Sequence, residues 1–129
     1  MRKVVMSLIV FAFIGLGTSA AFGQWRELGS KEVDYKVDHD TLSVGPMNGD
    51  FRHVRLGVSR APVTFLRVVL TFGNGTTQEI KVRTVIADGG YTRAIDLKGN
   101  QRVIRKVDFW YESTSLERRK ALVTLYGGR

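Results

Sequence analysis

The residues of this chain best equipped for chemistry fall into three groups. Asp34, Asp38 and Asp40, with His39 among them, place oxygen ligands at the end of one extended run and in the turn beyond it. Carboxylates converging in this way suit a hard cation such as Ca²⁺, although their spacing matches no established calcium loop. The simpler reading puts Asp34 and Asp38 on the solvent face of a strand with Lys36 between them, and makes Asp40 ordinary turn chemistry before Thr41. Arg93 and Asp96 flank a short run that a glycine turn brings close to Arg102. A guanidinium fork binds carboxylate or phosphate through two parallel hydrogen bonds, so this group is a candidate anion site. Its simpler reading has Asp96 accepting hydrogen bonds at a strand end and locking the connection between sheets.

The third group centres on Trp110. It is out of phase with Val107, Phe109 and Tyr111, which turns it outward beside Lys106, Asp108 and Glu112, with Arg105 close by in sequence. An aromatic surface flanked by polar groups holds sugar rings and protein partners. Tyr126 is out of phase with Val123 and Leu125 and extends the patch if the two strands pair. Otherwise a loop or the Trp25 segment covers this face. Catalytic templates are missing: the chain has two histidines, no cysteine, no H-E-x-x-H helix, no G-x-S-x-G elbow and no phosphate loop. A hydrolase would need an acid and base pair converging in a cleft. No cofactor is implied beyond the Ca²⁺ option.

The elements that must position these groups are strands. Short apolar and polar alternations are separated by glycine-containing turns, the strand period rather than the helical one. Val33, Tyr35 and Val37 alternate with Asp34, Lys36 and Asp38, followed by a short run from Thr41 to Val44. Phe51 to Val58 turns Val54, Leu56 and Val58 inward, and Val63 to Phe72 turns Leu66, Val68, Leu70 and Phe72 inward. Gly73-Asn74-Gly75 signals a tight primed hairpin turn, with a return strand from Gln78 to Ile86. Tyr91 to Leu97 is a short strand. Arg102 to Glu112 presents Val103, Val107, Phe109 and Tyr111 on one face, and Ala121 to Tyr126 closes the series. Only Ser115 to Lys120 has helical character, and it is too short to be more than a turn. With no long helix to cover a sheet, the expected fold is all-β: an antiparallel, jelly-roll-like β-sandwich, with a barrel as second choice.

Arg2 and Lys3 precede an apolar run from Val4 to Leu16 and then small residues through Gly23, the layout of a secretory signal peptide. Residues 1–23 are therefore expected to be a signal segment, retained as an anchor if uncleaved, and residues 24–129 a single domain. That domain is expected in the periplasm or outside the cell. Loss of Arg2 and Lys3 takes the formal charge from +8 to +6. Export makes nucleic acid an unexpected partner and directs the charge to anionic envelope components. Membrane contact is then limited to the signal segment or to peripheral contact. The absence of cysteine leaves stability to packing and strand pairing.

Several ordered stretches carry a likeness: Trp25-Arg26-Glu27-Leu28-Gly29, Val33-Asp34-Tyr35, Asp38-His39-Asp40, Phe51 with Val54-Arg55-Leu56, Phe72-Gly73-Asn74-Gly75, Thr92 to Gly99 and Arg102 to Phe109. Across nearly all of the expected domain this resembles the YaaI-like family of small exported bacterial proteins of unknown function. The resemblance implies a periplasmic or secreted bacterial protein and brings no activity. The cysteine pair of some relatives is missing, so a disulfide role is not transferable. The expected function is an exported, non-enzymatic domain recognising an anionic glycan, lipid headgroup or protein through Trp110, Lys106 and Arg105. The alternatives are a Ca²⁺-stabilised structural module and an uncharacterised hydrolase.

Overall fold

The computed structural model describes residues 25–33, 37–45, 48–113 and 119–129. The expected signal segment, Asp34 and most of the Ser115 to Lys120 turn lie outside the described residues. These residues form β1 (Trp25–Val33), β2 (Val37–Ser43), β3 (Asp50–Phe51), β4 (His53–Ser59), β5 (Val63–Phe72), β6 (Thr77–Ile80), β7 (Thr84–Ile86), β8 (Ile95–Asp96), β9 (Arg102–Glu112) and β10 (Ala121–Gly128). One antiparallel sheet has the order β1-β10-β4-β8; the other has the order β2-β9-β5-β6, with β3 paired to β9 and β7 to β5. Alternation leaves each sheet one apolar face, and with no helix among the described residues each face is covered by the other sheet. The sheets keep open edges, so the architecture is a sandwich and not a closed barrel.

The interior is continuous across both sheets. Leu56, Val123 and Leu125 from one side meet Phe65, Leu70, Val107, Phe109 and Tyr111 from the other, all essentially sealed from solvent. Phe65 and Phe109 pack edge to face at 6.1 Å, a favoured geometry for ring quadrupoles. The chain passes between sheets at Arg52, where the pairing of Phe51 with Arg102 ends and that of His53 with Asp96 begins. There the Arg52 N–H donates to the Gly128 carbonyl at 2.8 Å, and the Arg52 carbonyl accepts from Leu97 N–H at 2.9 Å. The expected single run from Phe51 to Val58 is thus two strands in different sheets.

Bulges shift the inward residues away from simple alternation. On β5 the register slips between Phe65 and Arg67, so Phe65 is sealed inside and Leu66 is only half-buried. On β9 it slips between Lys106 and Ile104, which buries Ile104 and leaves Val103 41% exposed instead of inward. A bulge puts two residues opposite one and reverses the phase beyond it. A third, at Leu28, lets the charged segment Trp25–Val33 pair as a full strand that its sequence pattern hides. The hairpin at Gly73 to Gly75 forms, with Gly75 alone among the three at positive φ, +90°. Gly75 N–H donates to the Phe72 carbonyl and Phe72 N–H to the Thr76 carbonyl. That is a three-residue loop closed by a left-handed glycine, not a primed two-residue turn. The return strand splits into β6 and β7 because residues 81–83 leave the ladder, and the Tyr91 to Leu97 strand shrinks to β8 plus one bridge from Tyr91 to Gly57.

One buried amide ties the two sheets together at an edge. Gln78 on β6 donates from Nε2 to the Asp96 carbonyl at 3.0 Å and accepts the Lys98 N–H on Oε1 at 2.9 Å. Gln78→Ala leaves both backbone groups short of a partner and is expected to cost about 1–3 kcal/mol, the usual penalty for an unmade buried hydrogen bond. Urea unfolding of the variant against the parent protein measures it; an unchanged midpoint would show that solvent replaces the amide freely.

Candidate functional site

The three groups of candidate residues occupy separate places. Trp110 lies on the outer face of its sheet, in a rung where β2 contributes His39 and β5 contributes Arg67. The His39 ring stacks on the indole at 4.3 Å with 9° between planes, and the Arg67 guanidinium lies 4.6 Å from the indole centroid. The indole is turned outward, yet the neighbouring strands flank it from both sides. The charges here are also matched internally. Arg67 Nε is 3.1 Å from Glu79 Oε2, and Lys106 Nζ is 3.8 Å from Asp108 Oδ2. His39 Nε2 lies 3.0 Å from Asp108 Oδ1, which also accepts the Thr41 hydroxyl. Arg105 donates to the Gly73 carbonyl at 2.9 Å. Tyr126 does not extend this face, because β10 belongs to the other sheet and does not pair with β9.

The two described aspartates of the acidic group are engaged locally. Asp40 accepts the Tyr111 hydroxyl at 2.7 Å, and Asp38 accepts the His39 N–H at 2.8 Å. Among the described residues no group of three or more His, Cys, Asp or Glu is placed to hold a metal ion. Arg102 is separated from Arg93. It donates to the Lys98 carbonyl at 2.8 Å, to Thr76 Oγ1 at 2.9 Å and to Asn74 Oδ1 at 3.2 Å, and lies over the Phe72 ring, so it fastens the hairpin tip. Asp96 pairs with His53 on β4, and its carbonyl takes the Gln78 hydrogen bond.

Arg93 instead lines a cavity of about 340 Å³ with Lys81, Arg83, Thr84, Tyr91 and Thr92. Two departures from regular pairing build it. β6 ends at Ile80 opposite Val68 and β7 resumes at Thr84 opposite Phe65, so residues 81–83 swing out across from the Leu66 bulge. Val82 is buried, and the strand-like alternation on either side of it leaves Lys81 and Arg83 exposed. On the facing wall, Thr92 N–H donates to the Leu56 carbonyl, Thr92 Oγ1 accepts the Leu56 N–H at 2.9 Å and the same hydroxyl donates to the Arg93 carbonyl. Thr92 is buried, so Tyr91 and Arg93 are held exposed on either side of it. Among the described residues, none of Lys81, Arg83 and Arg93 has an ion-pair or hydrogen-bonding side-chain partner. Sequence reasoning selected Arg93 and passed over Lys81 and Arg83, whose alternation looks like the wet face of a strand. The sequence hides the cluster, because Glu79 stands in phase with Lys81 and Arg83, and the structure shows that acid taken by Arg67.

The matched face has a pH signature. Burial alone would raise the Asp108 pKa, but hydrogen bonds from Thr41 and His39, with the charges of Lys106 and His39, hold it below the ordinary aspartate value of 3.8. A carboxylate depressed in the folded state contributes stability above its unfolded pKa, and the contribution is lost as pH falls through the lower native value. Asp108→Asn is therefore expected to be less stable than the parent protein at pH 7, with the gap closing as the pH drops from 3.8 through that native value. Urea midpoints across this range decide it, and a gap that persists unchanged in acid would contradict the assignment.

The family model described as "Domain of unknown function (DUF2541)" matches residues 4–127. No curated protein matches the sequence. Among solved structures, a chain of Pseudomonas aeruginosa AlgX is similar, with a TM-score of 0.54 and 11% identity, over 81% of this chain and 26% of that one. The present chain thus spans about a quarter of AlgX, and at that identity the likeness is one of fold. With nearly its whole length matched, the chain belongs to the DUF2541 family of domains of unknown function.

Proposed function

We propose that this protein is an exported, non-enzymatic binding domain that takes an anionic component of the bacterial envelope in the cavity of Lys81, Arg83 and Arg93. The N-terminal layout and the YaaI-like resemblance support the periplasmic or secreted location. The observation that carries the binding reading is the set of three cations, unpartnered among the described residues, around one concavity. Like charges gathered in a hollow repel one another, and its partly low-dielectric walls strengthen their field toward an incoming anion. Some surface bases have an acid of their own, as Arg60 has Glu32 at 2.9 Å and Arg67 has Glu79. Here the acid is left to the ligand.

The lining favours binding over turnover. The Thr92 hydroxyl is engaged by the Leu56 N–H and the Arg93 carbonyl, and the lining holds no carboxylate or histidine to activate Thr84 or Tyr91. The concave shape suits a discrete anionic group borne on a chain better than the flat plane of a bilayer. The Trp110 face expected from the sequence is less suited, because its charges are already matched and its indole is flanked.

Dextran sulfate serves as a general polyanion probe. The variant Lys81→Ala, Arg83→Ala, Arg93→Ala is expected to lose about tenfold or more in affinity at low salt and to show a shallower salt dependence, as fewer counter-charges are engaged. Arg105→Ala with Lys106→Ala is expected to change little. Equal binding by the triple variant and the parent protein, or loss confined to the Arg105 and Lys106 variant, would overturn the proposed site.

A further inference from the structure

Tyr91 belongs to two neighbouring features at once. On one side it lines the cationic cavity; on the other it joins a row of rings on the outer face of the β1-β10-β4 layer. In that layer Trp25, Gly128 and His53 form one rung, and Glu27, Tyr126 and Arg55 the next. Tyr91 then bridges to Gly57. Two glycines make room for the rings. A Cβ at Gly57 would stand 2.9 Å from the Tyr126 ring and 3.1 Å from that of Tyr91, and one at Gly128 would stand 2.5 Å from the His53 ring. Bare backbone therefore lets the aromatic side chains settle against the sheet as a shelf.

Arg55 sits in the middle of it. Its guanidinium carbon is 3.9 Å from the Tyr91 centroid, 4.5 Å from that of Trp25 and 5.6 Å from that of Tyr126. Tyr91 and Tyr126 meet edge to face at 5.7 Å, and Trp25 and His53 at 5.2 Å. Among the described residues no carboxylate pairs with Arg55, and its Nε is sealed from solvent without a hydrogen-bond partner. The rings orient this cation without neutralising it. Burial, Tyr91 and Glu27 push the Tyr126 hydroxyl above its ordinary pKa, with Arg55 partly opposing them, so it remains a neutral hydrogen-bonding group.

Along the surface the order is then cation, ring, cation: Arg55, Tyr91, and Arg93 with Arg83. We propose that the shelf and the cavity form one continuous site for an acidic polysaccharide whose pyranose rings carry carboxylates, with a sugar ring against Tyr91 and Tyr126, its carboxylate on Arg55 and a further carboxylate among Arg83 and Arg93. This rests on reading the cavity as an anion site and adds the class of ligand. The C–H face of a pyranose matches an aromatic surface, and a carboxylate matches the planar guanidinium fork. A phosphate chain presents charge but no apolar ring face, so it would use the cavity and leave the shelf idle.

Titration calorimetry on the purified protein, with polygalacturonate oligosaccharides, their carboxyl-reduced neutral counterparts and polyphosphate of equal charge, tests this. Polygalacturonate is expected to bind, and its carboxyl-reduced form to bind at least about tenfold more weakly, with losses of about tenfold for Arg55→Gln and for Tyr91→Ala, whose effect on polyphosphate is small. Wild-type affinity of both variants for polygalacturonate would overturn the shelf even if the triple cavity variant still loses binding, which would leave the cavity reading intact. Conversely, undiminished binding by the triple variant with loss in Arg55→Gln would remove the cavity and leave the shelf alone. Equal binding of the carboxyl-reduced polymer, or tighter binding of polyphosphate independent of Tyr91, would also overturn the proposal. The parent protein with the three polymers decides the matter even if Tyr91→Ala melts below assay temperature.

Discussion

Burial between the two sheets is the interaction on which this domain depends. The chain has no cysteine to cross-link it, and no helix among the described residues covers either apolar face. What remains is the contact of one pleated face with another, centred on Phe65, Phe109, Tyr111, Leu56 and Leu125. A domain near 100 residues can stand on such a core, since it buries about two-thirds of the surface its unfolded chain exposes. The consequence is strict: strands that face inward on one side must be wet or covered on the other, so the outer faces are free to differ.

They differ in how charge is handled. On the outer face carrying Trp110, each base near the indole is answered by a nearby acceptor: Lys106 by Asp108, Arg67 by Glu79, and Arg105 by the Gly73 carbonyl. Exposed pairs of this type contribute little stability, about 0–1 kcal/mol each. Their main effect is to leave no net demand for an outside partner. Among the described residues Arg55, on the opposite outer face, packs on aromatic rings and pairs with no acid, and at the adjoining edge Lys81, Arg83 and Arg93 pair with none either. Other cations among the described residues, Arg26, Lys31, Arg52 and Lys98, also lack an acid, but at this edge three such cations line one cavity beside Tyr91.

The fold class was legible because alternation survives wherever pairing is regular. Val54, Leu56 and Val58 on β4, and Val123 and Leu125 on β10, face inward as their period requires. Legibility failed at the bulges. An extra residue near Leu66 moves Phe65 into the core, and one near Arg105 exchanges Val103 for Ile104. Nothing in a local apolar pattern marks where the ladder will slip, because the slip is a property of two strands. The candidate site shows the same limit. Trp110 could be placed outward from its phase, but its cover by His39 and Arg67 depends on pairing across β2, β9 and β5, far apart in the chain. Arg93 could be singled out by type. Its gathering with Lys81 and Arg83 required the three-dimensional course of residues 81–83.

The cavity and the shelf arise where the chain departs from the regular sheet that its own periodicity favours. Residues 81–83 could have continued the ladder and joined β6 to β7; instead the Leu66 bulge faces them, Val82 turns inward as an anchor, and the two flanking cations are displaced together. Opposite, a single buried threonine uses both its backbone and its hydroxyl to hold Tyr91 and Arg93 against β4. On the shelf, Gly57 and Gly128 give up side chains within strands, where glycine is unfavourable, and aromatic rings take the space. Each departure sacrifices local regularity: Gly57 and Thr92 seat Tyr91 itself, and residues 81–83 bring Lys81 and Arg83 to the cavity it lines. Sequences tend to agree with their fold at every level except where a site demands otherwise. Three such departures converging on Tyr91 are the physical ground on which the proposal places a partner at that edge of the sandwich rather than on the self-matched Trp110 face.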